Sequence, residues 1–365
     1  MTEHKRKIGI LGAGQLGRML ALAGYPLDLQ FGFYGSALDE PAGRLGRFYP
    51  NHENQLDPLI EFADVITYES ENTSVEQVEQ ISQIKPVYPS ATSLYYSQDR
   101  GREKELFDRL NIPCAPYQLV ANSTELTQAV EKIGLPAILK TTTEGYDGKG
   151  QFVIKSPQDI NQAWLSIGQR PAVLEALVRF KRELSMIAVR NAANQHVYYP
   201  LVENRHHQGI LRLTLAPAQA VTETLQRQAE SYMQALLDEM NHIGALTLEL
   251  FETEQGLVVN EMAPRVHNSG HWSIEGAQTS QFENHLRAIT GLPLGSTSPR
   301  QSHAAMINII GELGNIDLPL NLNNVYVHLY DKQERAGRKL GHITLLADSQ
   351  QALDKQLEQL KDWLA

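Results

Sequence analysis

The chain has 365 residues, 42% of them hydrophobic and 20% charged: too long for one ordinary core and too apolar for disorder, so two or three globular domains are expected. A formal net charge of -10 excludes the wide basic surface that nucleic acid demands. Cys114 is the only cysteine, which excludes an intrachain disulfide or a cysteine-rich metal site, and its apolar neighbours suit a small core residue.

The N-terminus lacks a signal-peptide pattern, and no later stretch approaches about 18 uninterrupted apolar residues. A cytoplasmic protein with small-molecule partners, and no membrane or nucleic-acid partner, is expected. Residues 7–11 read as a buried strand, followed by a glycine turn and a helix over 15–23. A strand at 29–34, a helix at 56–62, a strand at 64–68 and a helix at 75–84 continue the alternation, which predicts a parallel sheet with crossover helices. A polar helical stretch follows at 97–110. Strands at 137–140 and 151–154 flank a glycine-rich loop, and further strands are predicted at 172–178, 184–189, 197–202 and 210–215. A helix over 221–240 precedes strands at 245–251 and 257–262, so the middle section reads as α+β with mainly antiparallel strands. Residues 293–302 are rich in Pro, Ser, Thr and Gly and read as a linker. Strands at 304–310, 325–330 and 342–346 and an amphipathic C-terminal helix complete the chain.

Five motifs could carry chemistry. Gly12-Ala13-Gly14-Gln15-Leu16-Gly17 lies between a strand and a helix, where backbone amides can meet a phosphate. A dinucleotide site also wants an acid ending the second strand, and that strand ends Tyr34-Gly35-Ser36; NAD binding is disfavoured, and tight strand–helix packing is an equal alternative. Glu144-Gly145-Tyr146-Asp147-Gly148-Lys149-Gly150-Gln151 has the composition of a flap able to fold over a polyphosphate, or of a plain surface hairpin. Lys140 favours the first reading, since a lysine ending a buried strand needs an anion.

Glu249 and Asn260-Glu261 sit on paired strands. If the intervening loop has three residues, Glu249 faces Glu261, and two carboxylates so close call for a cation, naturally Mg(II). With a two-residue loop, Glu249 faces Asn260 and Glu261 turns to the other face. Ala263-Pro264-Arg265-Val266-His267-Asn268-Ser269-Gly270-His271-Trp272 follows directly, dense in anion-gripping and titratable groups. Near the C-terminus, Tyr330 to His342 gathers Lys332, Arg335, Arg338, Lys339 and His342 in an acidic chain, a local anion site or a solvated turn.

Together these motifs resemble the ATP-grasp enzymes, and among them the synthases that carboxylate 5-aminoimidazole ribonucleotide in purine biosynthesis. The resemblance spans essentially the whole chain. It is carried by the first glycine turn with Arg18-Met19, Thr67-Tyr68-Glu69-Ser70-Glu71, Gly145 to Gln151, Asn260 to His271, and Gly337-Arg338-Lys339-Leu340-Gly341-His342.

The resemblance implies a Rossmann-like pre-ATP-grasp domain over 1–96, an ATP-grasp domain over 97–295 and a small β-rich C-terminal domain over 296–365. It implies that ATP, bicarbonate and the aminoimidazole ribonucleotide give ADP, phosphate and a carbamate through carboxyphosphate, in a homodimer. Carried over by motif, Arg100 and Lys140 contact ATP phosphates, and Gly145, Tyr146, Asp147, Gly148, Lys149, Gly150 and Gln151 close above them. Glu175, Ala176, Leu177 and Val178 form the adenine linker, Glu183 takes the ribose, and His206 and Asn260 add nucleotide contacts. Glu249 and Glu261 bind magnesium. Gln15, Leu16, Glu69, Glu71, Tyr146, Arg265, His267, Asn268, Lys332 and Arg338 surround the ribonucleotide and carboxyphosphate, with Asp147, Lys149, Arg265, His267 and Lys332 in the chemistry. In two places the chain departs from the family: Lys149 stands where relatives carry arginine, and Glu144 where a small residue is common. Rival readings are a formate-dependent glycinamide ribonucleotide transformylase, a biotin-dependent carboxylase subunit, and an NAD-dependent oxidoreductase.

Overall fold

A computed structural model describes residues 6–53, 55–145 and 150–364. The N-terminal alternation produces a four-stranded parallel sheet ordered Arg47–Pro50, Gln30–Gly35, Lys7–Leu11, Val65–Tyr68. Apart from the half-exposed edge strand Arg47–Pro50, its strands are short, apolar runs largely buried on both faces, as crossover sheets require, and the core they build includes Ile8, Ile10, Phe31 and Phe33.

A second sheet is antiparallel, ordered Tyr117–Val120, Ala172–Ala176, Ala137–Thr141, Gln151–Ile154. The helix Ser123–Ile133 packs on it, capped by Asn122, whose side chain accepts from the Glu125 amide, and stopped by Gly134 at φ 83. Neither this helix, despite its apolar Leu126, Ala129, Val130 and Ile133, nor the edge strand Tyr117–Val120 is among the elements expected from the sequence.

The largest sheet is antiparallel and nine-stranded, one of its strands being the short His196–Tyr198, which pairs with Arg182–Arg190 beside the main path. Leu257–Ala263, Gly244–Glu252, Arg182–Arg190, Val202–His207 and Ile210–Ala216 lie in that order. Its continuation is His303–Ile310, Lys339–Ala347 and Val325–Leu329, so the C-terminal strands extend the central sheet rather than forming a separate one. The alternation in Gly244–Glu252 works as expected: Leu246, Leu248 and Leu250 are buried against Met233, Leu236 and Leu237 of the helix Glu223–Glu239.

Two predicted elements change their bounds. Asp99 caps a helix by accepting from the amides of Gly101 and Arg102, so the polar 97–110 stretch is helical over Arg100–Arg109, and a separate helix, Ala91–Ser97, precedes it. The 197–202 strand is broken into His196–Tyr198 and Val202–His207, because Pro200 has no amide to contribute to a ladder.

Candidate active site

A cavity of about 860 Å³ opens where the three sheets converge. Its wall begins at the first glycine turn. The amides of Gly14 and Gly17 donate to the two carboxylate oxygens of Glu69 at 2.5 and 2.7 Å. A Cβ at Gly12, whose φ is 120, would approach Glu69 Cγ to 2.4 Å, and one at Gly14 would approach Oε1 to 2.7 Å. The glycines therefore make room for an internal carboxylate, and the helix N-terminus meets an anion of its own chain. This removes the amides that an NAD-binding reading needs. Burial pushes the Glu69 carboxyl up and the two amides pull it back, so each of its oxygens already accepts one bond from its own chain. Gln15 and Leu16 remain on the cavity wall.

The acidic hairpin resolves its register in an unexpected way. Thr253 N–H donates to Gly256 O, which is the two-residue turn, and Leu250 accordingly faces Val259. A bulge at Asn260 then absorbs one residue, and Glu249 faces Glu261 after all. Bulges re-aim side chains at functional sites, and here both carboxylates line the cavity. Glu261 keeps 42% of its side chain exposed. Desolvation and then the charge of Glu249 raise its pKa, while the hydrogen bond and charge of His267 outweigh desolvation and hold Glu249 down. A divalent cation fits this pair, because it relieves the repulsion with hard oxygen ligands. Among the described residues no group of three or more His, Cys, Asp or Glu side chains could hold a metal alone, so further ligands would come from phosphate oxygens and water.

Cations face this pair. Arg100 donates to the carbonyls of Thr141 (2.9 Å) and Gly145 (3.0 Å) and lies 3.6 Å from Glu261. Lys140 donates to Glu175 Oε2 at 3.0 Å, and buried Lys104 lies 3.6 Å from Glu175 Oε1. The anion that the buried lysine required is thus internal, and two ammonium groups share that one carboxylate. Glu175 itself is 3% exposed and does not line the cavity, nor do Ala176 and Val178; Leu177 does. Beside Leu177, Phe180 stacks on Phe251 at 4.6 Å and Leu211 adds apolar wall, a slot suited to a flat ring. Glu183 Oε2 and His206 Nδ1 meet at 2.7 Å on the same side.

The opposite end is built from distant segments. Arg265 pairs with Glu71 at 2.5 Å; burial opposes ionisation of Glu71, but the guanidinium holds its carboxyl at about 2. His267 Nδ1 accepts from the Ser269 amide at 3.3 Å, leaving Nε2–H to face Glu249 Oε1 at 3.2 Å. Lys332 donates to Gln15 Oε1, and desolvation, then Arg338, lowers its pKa to about 8. Asn268 has neither side-chain atom bonded within the described protein, and His271 Nε2 is likewise buried without a partner. Gln281 Nε2 reaches His271 Nδ1 at 3.3 Å while donating to His267 O, and Gln281 Oε1 accepts from His267 N, which leaves the His271 proton on Nε2.

Of the predicted residues, Gln15, Leu16, Glu69, Glu71, Arg100, Lys140, Gly145, Gln151, Leu177, Glu183, His206, Glu249, Asn260, Glu261, Arg265, His267, Asn268 and Lys332 line this cavity. Gly150 and Arg338 do not, although Arg338 acts on Lys332 through its charge. Tyr146, Asp147, Gly148 and Lys149 lie outside the described residues. Sequence reasoning missed Glu103, Lys104, Phe180 and Phe251, and it named Lys339 only as part of the C-terminal cationic cluster. The spacing of Arg100, Glu103 and Lys104 on one helix face was a usable signal for the first two.

Comparison with known proteins matches three regions of the chain. Residues 5–98 match a ribonucleotide synthetase preATP-grasp domain, 105–282 an ATP-grasp domain, and 304–356 a phosphoribosylaminoimidazole carboxylase C-terminal domain. An N5-carboxyaminoimidazole ribonucleotide synthase from Pseudomonas aeruginosa is 44% identical over 359 residues, covering 97% of this chain and 98% of that one. The crystal structure of the N5-carboxyaminoimidazole ribonucleotide synthetase from Thermus thermophilus superposes with a TM-score of 0.93 at 45% identity, covering 98% of each chain. An Aspergillus clavatus N5-carboxyaminoimidazole synthase, solved with ADP and 5-aminoimidazole ribonucleotide, superposes at 0.92 with 31% identity, over 99% of this chain and 98% of that one.

Proposed function

Because the chain belongs to the N5-carboxyaminoimidazole ribonucleotide synthase family of ATP-grasp enzymes, we propose that this cavity binds ATP, bicarbonate and the aminoimidazole ribonucleotide side by side. The protein is a ligase of purine biosynthesis: it uses ATP to carboxylate 5-aminoimidazole ribonucleotide, giving N5-carboxyaminoimidazole ribonucleotide, ADP and phosphate. The observation that carries the reading is the Glu249–Glu261 pair, brought together by a bulge beneath Lys140 and Arg100 in the cavity that also holds His267 and Lys332.

In the reaction we assign, a bicarbonate oxygen attacks the γ-phosphorus, the bond to the β-phosphate oxygen breaks, and ADP leaves. The carboxyphosphate releases carbon dioxide and phosphate, the amine captures the carbon dioxide, and its proton passes to His267 or to Asp147 of the flap. Glu249 and Glu261 would hold magnesium, which supplies neutralisation of charge on the phosphates. Lys140 and Arg100 orient the transferring phosphoryl group, since such transfer needs positioning and charge more than covalent chemistry. To residues 145–151 we assign the exclusion of water, which matters because an acyl phosphate hydrolyses in water. Leu177, Phe180 and Phe251 take the adenine and Glu183 the ribose, with His206 and Asn260 beside them. Gln15, Glu71, Arg265, Asn268 and Lys332 receive the ribonucleotide, and Arg338 strengthens the positive field there. We set the domain boundaries near residues 96 and 295, with the enzyme a cytoplasmic homodimer; no described helix is long and apolar enough to cross a membrane.

The test is phosphate release with bicarbonate plus 5-aminoimidazole ribonucleotide, against formate plus glycinamide ribonucleotide. Stimulation by the first pair alone is expected; stimulation by only the second overturns the assignment.

A further inference from the structure

The acidic hairpin slips by one residue at Asn260, and a bulge leaves backbone groups outside the ladder. Buried groups of that kind need other partners. Both groups flanking Glu261 find them on one helix, Arg100–Arg109. Lys104 Nζ donates to Asn260 O at 2.9 Å, and Glu103 Oε1 accepts from Met262 N–H at 2.6 Å. The two side chains are 1% and 2% exposed, burial that Lys and Glu accept only when paired. Their adjacency on the helix lets one grip the carbonyl before Glu261 and the other the amide after it.

The alternative register is close at hand. The turn already runs in the two-residue register. Sliding Asn260 back into the ladder would set Glu249 opposite Asn260 and rotate Glu261 to the other face. We propose that Glu103 and Lys104 are positioning residues that clamp the bulge at Asn260, and thereby hold Glu261 opposite Glu249 as a ligand for a divalent cation. This inference rests on the assignment of Glu249 and Glu261 as cation ligands.

The experiment measures Mn(II) binding to the full-length protein by electron paramagnetic resonance, with turnover recorded separately. Lys104→Met and Glu103→Leu are expected to weaken Mn(II) about tenfold or more, as loss of groups that orient metal ligands does. Glu103→Gln, which keeps an oxygen on the Met262 amide, recovers most of what Glu103→Leu loses, and this recovery separates clamping from a general loss of packing. Thermal melts identify the folded variants; if Glu103→Leu does not fold, Lys104→Met and Glu103→Gln carry the test. Glu261→Gln is the reference. Parent-like Mn(II) affinity in Lys104→Met and Glu103→Leu, with affinity lost in Glu261→Gln, overturns the clamp and leaves the ligand assignment standing. Parent-like affinity in Glu261→Gln overturns the ligand assignment and the clamp with it.

Discussion

The first glycine turn and the acidic hairpin both concentrate charge at the cavity, and they handle it in opposite ways. At the turn, the amides of Gly14 and Gly17 are met by Glu69 from the same chain, so the charge is closed internally. At the hairpin, Glu249 and Glu261 face each other with partial compensation from His267 and Arg100. A motif whose charge is already balanced shapes the wall of a site; one whose charge is left over recruits a ligand. On this view the more familiar-looking glycine fingerprint shapes the wall, while the pair to which we assign the metal is two ordinary glutamates.

The comparison breaks most visibly at Glu261. Glu261→Gln should lower ADP formation by about a thousandfold, with the melting temperature almost unchanged because a repulsive pair has been relieved. Near-normal turnover at ordinary magnesium would remove the metal assignment.

At the turn the expected loss is of stability. Glu69→Ala strands two amide donors, costing about 3 kcal/mol in a denaturant melt. The vacated helix N-terminus then becomes an anion site, so millimolar sulfate should raise the melting temperature of this variant more than that of the parent. Equal responses would mean that Glu69 does not fill the site.

His285 links the two regions. Its Nδ1 accepts from Ala245 N–H at 3.1 Å at the start of one acid-bearing strand, and Nε2 meets Thr67 Oγ1 at 3.0 Å just before Glu69. Desolvation, then the charge of His242, lowers its pKa to about 3. The folded form stays neutral while the unfolded chain takes up a proton below about 6.5. Stability therefore falls with acid through that window, by about 2 kcal/mol between pH 7 and 5. Chemical denaturation of His285→Gln across this range should show a shallower slope; an unchanged slope would refute the linkage.

The smallest effect concerns Lys332, which joins the glycine turn through Gln15. With its pKa near 8, its charge is lost as pH rises, so KM for the ribonucleotide should climb about tenfold between pH 7 and 9. Lys332→Arg, charged throughout, should flatten that rise.

Much of this architecture was legible in local pattern. Strand and helix periodicity, the Leu246, Leu248 and Leu250 face, and the motif segments are properties of adjacent residues, and adjacent residues obey backbone periodicity wherever the chain goes. Two elements escaped for different reasons: the four-residue edge strand Tyr117–Val120 draws its definition from its partner strand, whereas the helix Ser123–Ile133 carries a readable apolar face of Leu126, Ala129, Val130 and Ile133 and a cap at Asn122.

What only the assembled chain decided was pairing across distance. The turn length at 253–256 selects one register, and the clamp from a helix far earlier in the chain coincides with its reversal at Asn260. Similarly, nothing near Gly14 announces that its amide belongs to Glu69. Electrostatic compensation depends on which charges meet in space, a Coulomb and desolvation balance set by tertiary contact, whereas secondary structure depends mostly on neighbours along the chain.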